Sequence, residues 1–147
     1  MAHYNFYLDK KDGDKAEEMV LAYIQQMFPK AYRIPGKEVR YDIIVPELSI
    51  SLEVKNDKYF SKSGNLCFET HKQSGELSGI LATEADYWVH ILDGKMHIAP
   101  RESLKQYVIN GGFRGVWGGD RKATFMYLVP FTKLQTEPWF HKVGDDE

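Results

Sequence analysis

Residues 48–55 read Leu-Ser-Ile-Ser-Leu-Glu-Val-Lys, a strict alternation of apolar and polar side chains. A period of two belongs to a β-strand with one face toward a core. Leu48, Ile50, Leu52 and Val54 must therefore be covered by another layer, and Ser49, Ser51, Glu53 and Lys55 share the opposite face. On that face Glu53 and Lys55 lie two residues apart, roughly 7 Å along the strand. The preceding stretch "YDIIV", 41–45, reads as a second strand, with Pro46-Glu47 as the turn of a hairpin. Asp42 and Ile44 share one of its faces, and Tyr41, Ile43 and Val45 the other. Hairpin pairing can bring Asp42 beside Glu53.

Upstream, "DGDKAEEMVLAYIQQMF" has helical spacing, with Asp12 or Asp14 available as a cap and Pro29 after its end. Ala16, Met19, Val20, Tyr23, Ile24 and Met27 form its expected apolar stripe. Glu17 falls at the edge of that stripe and Glu18 on the wet side. "RIPGK" reads as a turn, "NDKYFSKSG" as a polar loop and "NLCFET" as a third strand. A loop "HKQSGE" leads to a short helix expected around 76–85, then the strand "YWVHIL", a tight "DGK" turn and the strand "MHIA". Pro100 opens a helix, "RESLKQYVI". "NGGFRGVWGGDRK" reads as a loop, "TFMYLVPF" as the last strand and "GDDE" as a frayed tail. This order predicts an α/β (α+β) fold with a mixed sheet, in one domain over 1–147.

Composition narrows the function classes. At 43% hydrophobic and 14% aromatic residues, an ordered globular chain is expected. A net charge of −2 does not by itself point to nucleic acid. That argument weakens where clustered carboxylates are neutralised by a bound metal. The single cysteine, Cys67, excludes an intramolecular disulfide and a cysteine-based zinc finger. The five histidines lack the spacing of a zinc site, although His90 and His97 are placed to be cross-strand partners over the "DGK" turn. With neither a leader nor a membrane-length apolar run, a cytoplasmic protein is expected.

The chemistry concentrates on the hairpin. Two carboxylates, Asp42 and Glu53, with the backbone carbonyl of Val54, offer the hard oxygen donors that Mg²⁺ prefers. Lys55 would face the same space as a charge for phosphate or an aid to water deprotonation. Glu and Lys alternating on a strand are equally what a solvated sheet face looks like. Three features favour a site: an Asp on the preceding strand, a Glu flanking the first helix's stripe, and the wholly apolar opposite face.

The combination of "GDKAEE", "YDIIV" and "LEVK" resembles the PD-(D/E)XK nuclease superfamily, with Tyr41 standing where the motif has proline. A longer likeness, through "EVKNDKYFSKSGNLCFE", "SGILATEADYWVHI" and "GGDRKATFMYLVP", is to small phage-type endonucleases and Holliday-junction-resolvase-like proteins. It covers most of 13–134. The resemblance implies a restriction-endonuclease-like core, a central mixed sheet flanked by helices. It also implies that Asp42 and Glu53 bind Mg²⁺ or Mn²⁺, that Lys55 orients or activates water, and that Glu17 completes the site. The implied reaction is hydrolysis of a DNA phosphodiester, in branched DNA or at a specific duplex site, by a homodimer or larger assembly. A phage-encoded protein acting in a host cell is within that expectation. A catalytically silent DNA-binding or assembly protein on the same fold, and a phosphohydrolase of small phosphodiesters, are the competing readings.

Around this centre, Asp57, Lys58, Lys62, Asn65, Ser78 and Thr83 are candidate DNA contacts, the last two equally able to cap or turn the backbone. Tyr59 and Phe60 are candidate stacking residues in a polar loop. Gln73 would stand near the scissile phosphate, as a glutamine does in some relatives. Arg114, Arg121 and Lys122 would form a basic edge, or a solvated loop. Glu69 could reach the metal side or lie on the surface. Asp86 reads as the end of a loop, and Trp88 as core.

Overall fold

The computed structural model describes residues 6–34, 41–57 and 60–144. In chain order the elements are α1 (Phe6–Gln25), β1 (Tyr32–Arg33), β2 (Ile43–Val45), β3 (Ile50–Asn56), α2 (Phe60–Ser63), β4 (Asn65–Lys72) and α3 (Gly79–Ala82). There follow β5 (Tyr87–Leu92), β6 (Lys95–Pro100), α4 (Arg101–Asn110), β7 (Arg114–Gly118), β8 (Thr124–Pro130), α5 (Phe131–Leu134) and β9 (His141–Lys142). They build two sheets, ordered β1-β2-β3-β5-β6-β9 and β4-β8-β7. The larger sheet is mixed: β3 runs parallel to β5, and its other pairings are antiparallel. This is an α+β fold with a mixed central sheet.

The alternation in β3 separates two cores. Leu52 and Val54 join Ile43, Val45, Val89 and Ile91 on one face, where Ala16 and Val20 of α1 cover them. On the other face Trp88, Leu92 and Ala99 meet Leu66, Phe68 and Val129 of the second sheet, with Leu104 and Val108 of α4. The central sheet is thus a sandwiched layer, and the Glu53–Lys55 face looks toward the second sheet rather than open water. Parallel strands need a long crossover. Here it is the stretch between β3 and β5, which carries β4 and α3 and so brings the second sheet against that face.

Several expectations are corrected. Helix α1 begins at Phe6, so Asp12 and Asp14 lie inside it rather than at its start. Gly13 is tolerated there, at about 1 kcal/mol relative to alanine. The buried stripe is rotated from the expected one: Met19 and Met27 are exposed, while Leu21 and Phe28 are partly buried. At about 100° per residue, a stripe through Ala16, Val20, Leu21 and Ile24 passes over Glu17 instead of beside it. The strand expected from Leu48 starts at Ile50, because Pro46–Leu48 form a 3₁₀ turn closed by Ser49 at φ 55°. The helix expected over 76–85 is only the turn Gly79–Ala82.

The glycine-rich stretch expected as a loop contains strand β7. Its glycines make room: a Cβ on Gly115 would lie 2.2 Å from the Phe125 ring on β8. Nor is β8 the last strand, since β9 pairs with β6. The "DGK" turn forms as expected, with Asp93 and Gly94 at φ 50° and 79°. Part of the "RIPGK" turn and the end of the "GDDE" tail lie outside the described residues.

Candidate active site

The β2–β3 register sets Ile43 opposite Leu52 and Val45 opposite Ile50. Asp42 continues it: its amide donates to the Leu52 carbonyl at 2.8 Å, and its Oδ2 accepts the Val54 amide at 2.8 Å. The side chain is thereby fixed across the hairpin at the level of Glu53. Burial lifts the Asp42 carboxyl above its ordinary range, against the opposing pull of the Val54 amide, Lys55 and Arg33. Glu53 is pushed further, to about 7, by burial and then by the Asp42 charge. Lys55 opposes this, as does the Thr83 hydroxyl, which donates to Glu53 Oε1 at 3.2 Å.

Glu17 reaches the same neighbourhood from α1. Its carboxyl is raised by burial and by Asp42. Arg33 of β1 holds it, donating from Nη2 at 2.7 Å and Nε at 3.1 Å to Oε1. The same guanidinium lies 3.3 Å from Asp14 and 3.7 Å from Glu18. Glu17 is 22% exposed and Glu18 67%, so the two neighbours separate as the rotated stripe requires. Arg33 was not singled out in the sequence, where its only signal is a cation between the helix glutamate and the strand aspartate. The Asp42 charge thus raises both Glu17 and Glu53, and Glu17 adds to the rise of Glu53. The half-buried Lys55 side chain makes no hydrogen bond or ion pair among the described residues, and its charge acts on Asp42 and Glu53.

Beside Glu53 and Lys55 opens a cavity of about 230 Å³, walled also by Glu69, Lys72, Ser78 and Gly79. Glu69, left open between metal side and surface, faces this cavity, and Ser78 Oγ donates to its Oε1 at 2.8 Å. Gly79 permits the arrangement. It sits at φ +52°, and a Cβ there would lie 2.5 Å from the Glu69 carbonyl oxygen.

The remaining candidates divide by burial. Asp57 is a correction: its side chain is only 7% exposed, so it does not present a DNA-facing charge. It accepts the Cys67 amide at 3.2 Å and lies 3.4 Å from His90 Nε2. Trp88 Nε1 donates to His90 Nδ1 at 2.9 Å, which leaves the proton of a neutral His90 on Nε2, toward Asp57. Burial favours that neutral form. His90 and His97 are cross-strand partners, and Trp88 is core, as expected. Thr83 is buried, which removes it from direct phosphate contact and assigns it to Glu53. Asp86 does more than end a loop: its Oδ2 accepts the Ser51 amide and hydroxyl, bracing β3 against β5.

Lys62, Gln73, Arg114, Arg121 and Lys122 are exposed, and Asn65 is half-buried. Gln73 is tied to the β7–β8 turn, its amide donating to Ala123 O at 2.9 Å and its side chain to Lys122 O at 3.4 Å. Lys58 and Tyr59, and the Phe60 side chain, lie outside the described residues.

Among the described residues no group of three or more histidine, cysteine or acidic side chains is drawn together tightly enough to hold a metal ion. The pair that does fit is Asp42 and Glu53. Both are oxygen donors on one hairpin, their carboxyls raised by burial and that of Glu53 also by the Asp42 charge, and Mg²⁺ needs only one or two protein carboxylates. The structure puts the Val54 amide to use in fixing Asp42. No helix among the described residues is long and apolar enough to cross a membrane. Comparison with family models, curated proteins and solved structures finds no match, so a functional reading rests on this geometry.

Proposed function

We propose that the chain is a metal-dependent endodeoxyribonuclease of the PD-(D/E)XK type, on a restriction-endonuclease-like core. The observation that carries this reading is the half-buried Lys55 set against two carboxylates raised by burial, Asp42 and Glu53, with the Asp42 charge raising the Glu53 carboxyl further. Asp42 and Glu53 would hold Mg²⁺ or Mn²⁺, with the Val54 carbonyl as a further donor. Bound there, the metal supplies Lewis acidity toward the phosphate and lowers the pKa of water. Thr83 holds Oε1 of Glu53, and Oε2 would be the oxygen that ligates. Lys55 orients the attacking water and offsets the charge that develops on the phosphate oxygens. Glu17, in the grip of Arg33, contributes from the helix side through water.

The substrate is DNA, either branched or at a particular duplex site, in the cytoplasm of the cell in which the protein acts. A homodimer would place one such site on each strand. The engagement of Glu17 by Arg33 favours one alternative, a DNA-binding protein that keeps the fold without cutting. One experiment separates them. Supercoiled plasmid, linear duplex and a four-way junction are incubated with Mg²⁺, Mn²⁺ or chelator, beside Glu53→Ala and Lys55→Ala. Metal-dependent cutting lost in both variants is expected. Cutting that survives both removes the assignment, and binding without cutting favours the silent protein.

A further inference from the structure

The β7–β8 hairpin carries a feature that the carboxylate site does not use. Trp117 is 44% exposed, whereas Trp88 is buried. Its indole is braced edge-on by two rings, His71 at 5.5 Å and Phe125 at 5.3 Å, and His71 in turn stacks on Phe125 at 5.2 Å. The ring is therefore held rigidly while much of its surface remains in water. The turn that closes the hairpin presents two exposed cations, Arg121 and Lys122, at φ 57° and 52°. Two successive non-glycine residues in the left-handed region are costly, and such strain persists where surrounding contacts impose it. Here Gln73 contacts the turn, its amide donating to Ala123 O and its side chain to Lys122 O.

Gln73 follows directly on Lys72, which pairs with Thr124 and walls the cavity shared with Lys55 and Glu53. Gly118, next to Trp117, also pairs with Thr124. Lys72, Thr124 and Gly118 form one row of the sheet and His71, Phe125 and Trp117 the next, so the Lys72 side chain and the indole leave on opposite faces, with the basic turn closing the end of both rows. Glu76, 3.9 Å from Lys72, lines the cavity from the adjoining loop, and Glu53 and Glu69 line it too.

A rigid exposed aromatic ring beside a track of cations is how proteins hold single-stranded nucleic acid, with bases on the ring and phosphates on the cations. Within an intact duplex the base faces are already stacked on one another and offer nothing to an indole. We propose that Trp117 is a stacking platform for an unpaired DNA base, flanked by phosphate contacts from Arg121 and Lys122. Resting on the nuclease reading, this directs the enzyme to DNA with a single-stranded or unpaired element rather than to continuous duplex.

The test measures binding in chelator, so that no cutting intervenes. The probes are labelled oligonucleotides of one sequence, as a blunt duplex and as a duplex with a single-stranded flap. The wild type should prefer the flap and lose indole fluorescence on binding it, a quench that Trp117→Phe removes. Trp117→Ala should weaken flap binding about tenfold, within the range of a lost base stack, and leave the blunt duplex unchanged. Trp117→Phe should keep most of the affinity. Equal weakening on both DNAs, or an unquenched wild type, overturns the platform, and the second criterion holds even where Trp117→Ala does not fold. Adding Mg²⁺ to the same samples separates the two readings. Flap preference without cutting sinks the nuclease alone, and cutting indifferent to Trp117 and to the flap sinks the platform alone.

Discussion

At the residue scale, Glu53 governs the electrostatics. Its carboxyl titrates at about 7 in the fold against about 4.5 in an unfolded chain. Between those values the folded state keeps a proton that the unfolded state has released, so rising pH favours unfolding. In chelator, stability should therefore fall from pH 4.5 to 8 by roughly 1–3 kcal/mol. Asp42 and Glu17, also raised, act in the same direction. Urea denaturation across that range checks this, and Glu53→Gln should flatten the slope. A second expectation concerns Thr83, whose hydroxyl serves Glu53 and also accepts the Ala85 amide at 3.2 Å. Thr83→Val should cost about 1 kcal/mol in stability. It should also lower metal-dependent cutting more than it lowers DNA binding, which a cleavage assay beside a binding titration would separate. Neither residue's role follows from its neighbours in the chain. Thr83 meets Glu53 across thirty positions, while the motif locates only Glu53 and Lys55 themselves.

At the element scale, the site depends on how closely α3 approaches β4. Gly79→Ala would drive a Cβ to 2.5 Å from the Glu69 carbonyl at a positive φ. It should destabilise by about 1–3 kcal/mol, measured by urea denaturation, and displace the wall bearing Ser78 and Glu69. Helix α1 contributes differently. Val20 is fully buried beneath it, so Val20→Ala should cost about 1–2 kcal/mol by the same measurement. The strand pattern over 50–55 and the Asp93-Gly94 turn were readable because both arise within a few residues, whereas Leu48, expected on the covered face, lies in the 3₁₀ turn and is exposed. The true stripe of α1 was not readable, because Met19 and Leu21 are equally apolar in sequence. Which of them is buried depends on the sheet beneath the helix. The strand β7 was hidden because its glycines signal a loop. Their meaning emerges only when Phe125 of β8 lies over Gly115.

At the scale of the whole molecule, a metal held as proposed at the carboxylate centre would be linked to the stability of the entire fold. Mg²⁺ in hundredfold excess over its dissociation constant should stabilise the fold by about 2.7 kcal/mol. The gain should be present at pH 8, shrink as pH falls below 7 because protons compete for Glu53, and vanish in Asp42→Ala. Thermal melts with and without Mg²⁺ at pH 6 and 8 would show it. The sequence by itself determined the hairpin, the facing of Asp42, Glu53 and Lys55, and the layering of a mixed sheet, since side-chain alternation and turn chemistry are local. Only the tertiary structure decided that β3 runs parallel to β5, that the second sheet closes over the charged face, and that Asp57 and Thr83 are buried. It also turned Glu17 toward Asp42 and left Trp117 in water. These outcomes depend on contacts between segments far apart in the chain, where burial and repulsion are set by what the fold brings together.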